Sequence, residues 1–572
     1  MKKSTRLIDT LIGLDRFLYF LNKVKFFLPN IRIPRPSATY MNYQLSKKIA
    51  KAFKNSTPIG SNLKKIKQNK ILFLDPRGGE YVRIILGVLA KRLEHEGYQS
   101  QFINCQTLPI CNDTSIITNR PANICENCLK YSNSLMDAFN LPYKSLNQLI
   151  DSGIREFAAE EVKTLTRDEV LNYTFRGFPL GSFLKISVAS YLFRGDVPED
   201  DSSLVIIRDF LAGLIILFHA YEKLLDIYNP DFILTVNGRF FWHKLAYEIS
   251  KSRGLKIITI DDFGSFGGTG NRWMFSHDVP IAELNLNSYW KDWENVPLSK
   301  KEDDYLEKNF ILGSMTNKVY HKNPLNDWDS ILKIIGFDNA SSFDVMFTNL
   351  TWDSTAIEKD LFFANMFDWI FSTIDAYIEN KKRLLIRIHP AEEGIFGYPS
   401  LQKVKDSILS KYGTLPENIK IIASNNNVSS YQLLEKANLR IVYSSTIGLE
   451  GAVRGIPVVV AGDVHYGNKG FTIDPKSKSE YFSIINDPGN RGDLNSDQIQ
   501  LAKRYAFFYL YRTKIPLEFY DARMFQINKI KLHSYQDILP GANPYLDLAI
   551  EGIMRDTPIV LSRELTNKLL KL

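Results

Sequence analysis

The sequence predicts an α/β fold: two Rossmann-like domains facing a central cleft, with a basic helical N-terminal arm and a helical C-terminal extension. Three observations carry it. From residue 71 to about 500, short apolar runs alternate with amphipathic stretches, as parallel sheets with helical crossovers require. A polar, irregular stretch over 285–342 separates two such sets. At 572 residues the chain exceeds what a single core holds. Apolar content of 45% and charged content of 23% are those of a globular protein. The expected division is 1–70 (basic arm), 71–320 (first domain, acceptor side), 340–500 (second domain, nucleotide side) and 501–572 (helical extension).

The arm accounts for the charge. Residues 1–70 carry 16 Lys/Arg against two Asp/Glu, or +14, and the remainder carries 55 against 61, or −6; together these give the net +8. Basicity confined to an arm, with no interleaved aromatic and basic residues at 100–130, argues against a nucleic-acid partner. Leu7, Leu11, Leu14, Leu18, Leu21 and Val24 recur at helical spacing until Pro29. Asp9, Asp15 and Arg16 interrupt what would be the apolar core of a signal peptide. A basic amphipathic helix of this kind suits an anionic membrane surface, met through residues 1–30, or equally the flank of the body. The run "FLAGLIILF" at 210–218 falls well short of the roughly 20 residues that span a bilayer. The expected location is cytoplasmic, at most peripheral on the inner face of the membrane.

In the first domain, "ILFLD" (71–75), "QSQFINC" (99–105), "DFILTV" (231–236) and "KIITI" (256–260) read as strands. Cys105, Cys111, Cys125 and Cys128 all fall within 24 residues. Their C-x5-C-x13-C-x2-C spacing leaves two readings open, a structural zinc or free buried thiols. In the second domain the strands are "FDVMFTN" (343–349), "RLLIRI" (383–388), "NIKIIA" (418–423), "LRIVY" (439–443) and "IPVVVAG" (456–462). Facing parallel sheets bind ligands outside the carboxyl ends of their strands, so the chemistry is sought there.

Arg387 and His389 share one face of their strand, His389 at its carboxyl end, and Pro390 fixes the exit of the chain. An imidazole held there can donate to a phosphate oxygen. After the strand ending at Tyr443, the hydroxyls of Ser444, Ser445 and Thr446 stand where a helix begins, an anion-binding arrangement. Glu450, one turn on, can accept from the two vicinal hydroxyls of a ribose. "HYGNKG" (465–470) brings Lys469 in a glycine-permissive loop. Taken singly, these are caps and surface charges; their convergence on adjacent strand ends favours a nucleotide-sugar site. Across the cleft, Asp261 and Asp262 end strand 256–260 before a Gly-rich loop and are candidates for the general base that an acceptor hydroxyl requires. Asn237 and Arg239, at another strand end, are assigned with Gly264 to the acceptor side. "DPRGG" (75–79) is a weaker candidate of the same kind. "DWD" (327–329) is the one match to a metal-chelating DxD and lies in the presumed linker, so no metal is expected in catalysis.

The pairing of "RIHPAE" with "SSTIGLEGAVRGIPVVVAGDVHYGNKGFT" resembles the bacterial capsule polysaccharide biosynthesis proteins, GT-B type glycosyltransferases related to the Kdo transferases of capsule assembly. "FTNLTWDS" (347–354), which places Asn349 on the donor side, and "NGRFFWHKLAYEISKSRGLKIITIDDFG" extend the likeness to roughly 70–510. The resemblance implies that the His-Pro motif binds the donor phosphate and that an acidic motif of the first domain supplies the base. Asp261 and Asp262 would match that motif with Gly264, although Phe263 intervenes. The function expected is metal-independent sugar transfer from a nucleotide-sugar to a surface polysaccharide or glycolipid. An epimerase or hydrolase acting on nucleotide-sugars, and a non-catalytic scaffold for capsule assembly, are the alternatives. Donor, acceptor, linkage and stereochemistry are left open.

Overall fold

The computed structural model describes residues 38–54, 69–76, 80–105, 108–111, 124–262, 271–281, 289–311, 324–337, 342–394, 399–487, 493–523 and 526–572. The amphipathic pattern of residues 1–30 and Gly264 lie outside them.

The first sheet contains β1 (Lys70–Phe73), β2 (Gln99–Asn104), β3 (Tyr143–Ser145), β4 (Phe232–Val236), β5 (Lys256–Asp262) and β6 (Arg272–His277). The second contains β7 (Asp344–Phe347), β8 (Leu384–Arg387), β9 (Ile419–Ile422), β10 (Arg440–Val442) and β11 (Val459–Val460). The chain then returns to the first domain with β12 (Ile515–Pro516) and the hairpin β13 (Tyr520–Arg523) and β14 (Gln526–Ile530). The first sheet runs β12-β6-β5-β4-β1-β2-β3, and the second β11-β10-β7-β8-β9. Strands β1 to β5 pair parallel among themselves, as do β7 to β11, whereas β6 pairs antiparallel with both β5 and β12 at one side of the first sheet. Each parallel set has the doubly wound order, reversing between β1 and β4 in one sheet and between β7 and β10 in the other. Brändén crevices open at those two reversal points.

The strands form where short buried apolar runs occur. Ile71, Leu72, Phe73, Ile233, Leu234, Leu384, Leu385 and Ile386 are fully buried, because helices cover both faces of each sheet. The helix Asp201–Tyr228 carries the apolar run noted above; fifteen of its residues are buried, and it backs the first sheet. By length and composition alone it could cross a membrane, yet most of its apolar stretch is inside the protein.

Two boundaries differ from expectation. Residues 501–572 are not a separate helical extension: Ile515, Leu517, Phe519, Tyr520, Ile527 and Ile530, with the helix Pro544–Arg555, complete the core of the first domain. Strands as short as two residues leave no periodic signal, so the return was invisible to pattern reading. The stretch 285–342 is not an irregular linker throughout. Its helices Lys300–Leu306 and Trp328–Ile335 pack Leu306, Ile331 and Ile335 into the core of the second domain. Asp327 of the "DWD" triplet caps the second of these helices by accepting from Ser330 N at 3.0 Å.

The two domains are clasped on one side by residues 193–195 of the first. Phe193 lies edge-on to Trp352 at 4.8 Å, Leu401 N donates to Phe193 O at 2.9 Å, and Gly195 N donates to Gln402 Oε1 at 2.8 Å. A side chain at Gly195 would meet Thr351 O at 2.7 Å. Gly195→Val is therefore expected to pry the clasp apart. The melting temperature should fall by a few degrees, since overpacking of this kind costs about 1–3 kcal/mol. Thermal denaturation of the variant beside the wild type checks it.

Candidate functional site: a cavity at the second reversal point

A cavity of about 100 Å³ lies at the carboxyl ends of β7, β8, β9 and β10. Thr348, Arg387, His389, Ser429, Ser430, Tyr431, Ser445, Thr446 and Glu450 are among the residues that line it. Five of the residues singled out from sequence, Arg387, His389, Ser445, Thr446 and Glu450, thus converge from two separate stretches on one space at the reversal of strand order.

His389 is held from both ends. Its backbone N donates to Thr348 Oγ1 at 3.2 Å, and its Nδ1 accepts from Ala391 N at 3.2 Å. An Nδ1 that accepts places the ring proton of the neutral imidazole on Nε2. Burial pushes the imidazole down to about 4, with Asp353 opposing and Arg387 assisting. His389 is therefore a neutral Nε2–H donor near pH 7, and its donating power does not depend on protonation.

Glu450 is 5% exposed, on the short helix Ile447–Ala452. Burial pushes its carboxyl up to about 7, against a hydrogen bond from Tyr431 and the charge of Arg454. Arg454 stands over the Tyr431 ring at 4.7 Å. The helix start is pinned by the Tyr466 hydroxyl, which donates to Ser445 O at 2.5 Å. Gly448 is required there, because a Cβ would fall 2.3 Å from that hydroxyl.

Arg387 departs from its expected role. It lines the cavity, but its guanidinium donates to the carbonyls of Ala423 at 2.7 Å, Asn426 at 3.1 Å and Val428 at 3.3 Å, and its Nε to Ser430 Oγ at 3.3 Å. It shapes the loop after β9 rather than facing a phosphate. Asn349 and Ser444 also sit beside the cavity rather than in its wall: Ser444 N donates to Asn349 Oδ1 at 3.2 Å, which ties the ends of β7 and β10 together. Lys469 is elsewhere, with its Nζ 5.1 Å from the centre of the Tyr505 ring, where burial lowers it to about 8.

Ser429, Ser430 and Tyr431 were missed from sequence. The signal was present, a hydroxyl-rich turn at a third strand end, but it read as an ordinary helix start. Ser429 is 2% exposed, and its buried hydroxyl has no protein partner. A buried hydroxyl facing a cavity is a group that a polar ligand can satisfy.

In the first domain, Asp261 and Asp262 end β5 opposite Met274 and Trp273 of β6. They are half-buried, and neither lines the cavity that His389 lines. Asp262 raises the proton affinity of the buried Lys514 Nζ, which desolvation alone would lower further. Asp75 of "DPRGG" is buried against His243 Nε2 at 2.9 Å, a structural partner; Arg77, Gly78 and Gly79 lie outside the described residues. Asn237 adopts a left-handed φ of 27° at the end of β4, and Arg239 reaches across to Ser354 O. The four cysteines are half-buried, and burial pushes the Cys105 thiol up to about 12. Among the described residues, no three His, Cys, Asp or Glu side chains are gathered so as to hold a metal ion.

A titration follows from Glu450. An ionised carboxylate accepts from both hydroxyls of a ribose, whereas its protonated form offers one acceptor fewer. Because the carboxyl titrates at about 7, affinity for any ligand whose hydroxyls donate to the ionised Glu450 should rise from about pH 6 to about pH 8, by up to about tenfold, the ratio of ionised fractions. Calorimetric titration checks the slope, and Glu450→Gln should flatten it.

Residues 362–488 match a family model described as "Capsule polysaccharide biosynthesis protein". The match spans His389, Ser444 to Thr446, Glu450 and Lys469, so the resemblance read from the second domain is borne out there. Solved structures similar to this chain include two transferases of Thermosulfurimonas dismutans KpsC. The beta Kdo 2,4 transferase is 15% identical, covering 48% of this chain and 79% of that one at a TM-score of 0.30. The beta Kdo 2,7 transferase is 13% identical, covering 55% and 88% at a TM-score of 0.30. A UDP-GlcNAc 2-epimerase of Methanocaldococcus jannaschii, in complex with UDP-GlcNAc and UDP, is 12% identical and covers 78% and 100% at a TM-score of 0.23. Likenesses this distant carry no argument about individual residues. Comparison with curated protein sequences gives no significant match.

Proposed function

We propose that the chain is a glycosyltransferase that moves a sugar from a nucleotide-sugar to a polysaccharide or glycolipid acceptor of the cell surface. The observation that carries this reading is the convergence of His389, Ser445, Thr446, Ser429 and Glu450 on one cavity at the reversal of the second sheet. In this reading Glu450 takes the ribose hydroxyls. The Nε2–H of His389 and the hydroxyls of Ser445 and Thr446 take the phosphate. As the bond from sugar to phosphate oxygen breaks, negative charge grows on the leaving phosphate, and fixed donors in a buried site stabilise that charge as it develops. These donors do for the phosphate what a cation does elsewhere, so the reaction is proposed to be metal-independent. A carboxylate of the first domain, Asp261 or Asp262, removes the proton of the acceptor hydroxyl. Asn237 and Arg239 lie on the acceptor side.

The test is a thermal-shift screen against CMP-, UDP-, GDP- and dTDP-sugars, followed by product analysis with the one that binds. A ligand held only by the native cleft raises the melting temperature by mass action. Transfer to an added acceptor supports the reading. Epimerised or hydrolysed donor, with no acceptor product, would place the protein among nucleotide-sugar epimerases and hydrolases instead.

A further inference from the structure

The helix Ala38–Phe53 belongs to the body, although it carries part of the basic N-terminal charge. One face is seated. Leu45, Ile49, Ala52 and Phe53 are buried in the core of the first domain, with the Phe53 ring 5.0 Å from that of Phe139 and 5.9 Å from that of Tyr535. Helical spacing turns the intervening positions outward. Lys47, Lys48 and Lys51, with Lys54 just beyond the last turn, are all exposed there.

The helix contains no Asp or Glu. Among the described residues, no carboxylate pairs with Lys48, Lys51 or Lys54. Lys47 and Lys51 stand four residues apart, and Lys51 and Lys54 three, spacings at which like charges on a helix repel. The wider sequence has the same bias. From Arg16 to Leu74 there are 13 Lys/Arg and no acidic residue, whereas residues 71–572 carry a net −6.

Self-repulsion of this kind is relieved by a partner of opposite sign. The net negative remainder of the chain is itself repelled by such a partner, so the lysine row is the face turned towards it. The exposed positions from 45 to 54 are four lysines and an alanine, on a helix backed by the core. A plane of anionic headgroups meets such a row along its whole length, and four clustered lysines on one helix are enough to bind it. A nucleic acid asks for more, hydrogen-bonding or stacking side chains beside the cations, and these positions offer none.

We infer that the outward face of the helix Ala38–Phe53, through Lys47, Lys48, Lys51 and Lys54, docks on an anionic lipid bilayer and holds the first domain against it. This contact is made by a folded helix of the body, separate from residues 1–30, and is independent of the transfer reading because neither sheet's carboxyl ends take part.

The experiment floats the full chain with vesicles of phosphatidylcholine alone and with vesicles of equal parts phosphatidylcholine and phosphatidylglycerol. The mixed vesicles should carry the protein and the neutral ones should not, and added salt should release it. Each lysine that meets an anionic surface raises partition about fivefold, so the variant Lys48→Gln, Lys51→Gln, Lys54→Gln should lose on the order of 100-fold while keeping its melting temperature. The variant Lys48→Arg, Lys51→Arg, Lys54→Arg should bind as the wild type does, since the charge is kept. Binding to the neutral vesicles, or unchanged partition of the glutamine variant, would overturn the inference. Tighter binding to a short RNA duplex than to the mixed vesicles at the same salt would also overturn it, in favour of a nucleic-acid partner.

Discussion

His389→Ala should lower sugar transfer on the order of 100-fold or more, the loss usual for one fixed donor to a developing oxyanion, and lower the melting temperature by a few degrees at most, the cost of leaving Ala391 N–H without its acceptor. The reason is geometric. Nδ1 already accepts from Ala391 N, so the ring presents Nε2–H and nothing else that a small substitute could imitate. Alanine removes that donor without burying an unsatisfied charge, because the imidazole is neutral with its proton affinity pushed down to about 4. His389→Gln, whose amide can reach a similar position, should recover part of the loss. The pH profile of the wild type should show no step from His389 near neutrality; the step expected there belongs to Glu450, at about 7.

Arg387→Met should behave in the opposite way, losing stability and nucleotide affinity together. Arg387 is 1% exposed and donates to three carbonyls and one hydroxyl of the segment 423–430. Buried acceptors left without donors cost about 1–3 kcal/mol each, though partial rearrangement lets water reach some of them. A net loss of about 3 kcal/mol is expected, with a melting temperature several degrees lower. The same segment carries Ser429 to Tyr431 into the cavity, so nucleotide affinity should fall by tenfold or more. Arg387→Lys should restore little, since an ammonium lacks the planar fork that reaches several carbonyls at once. Denaturant unfolding and calorimetry on the two variants separate a donor that acts on ligand from a side chain that builds the wall.

Much of this site was legible because the residues that make it are punctuated by strands. Nine strands read from apolar runs appear where they were expected, from Ile71 to Val460, and the end of each parallel strand is where a ligand group can stand. His389, Ser445, Thr446 and Glu450 follow from that rule alone. What pattern reading does not supply is the direction of a side chain beyond the last strand residue. Arg387 and His389 alternate onto one face, yet the guanidinium turns to the loop after β9, a loop whose carbonyls no periodicity reveals. Ser429 was passed over for the same reason: a serine before a helix reads as a cap, but here its hydroxyl makes no capping bond. The antiparallel strands β6 and β12 carry no such signal, nor does the return of the chain to the first domain. A pairing between residues 272–273 and 515–516 is set by tertiary contact rather than by local sequence.

The central claim is that one nucleotide is held jointly by the His-Pro turn, the serine-rich helix start and the buried glutamate. Isothermal titration of the donor nucleotide into wild type, His389→Ala and Glu450→Gln tests it most directly. A single saturable site in the wild type, weakened tenfold or more by each substitution while both variants stay folded, is the result predicted. Undiminished binding in both variants would contradict it, since the nucleotide would then rest on neither residue.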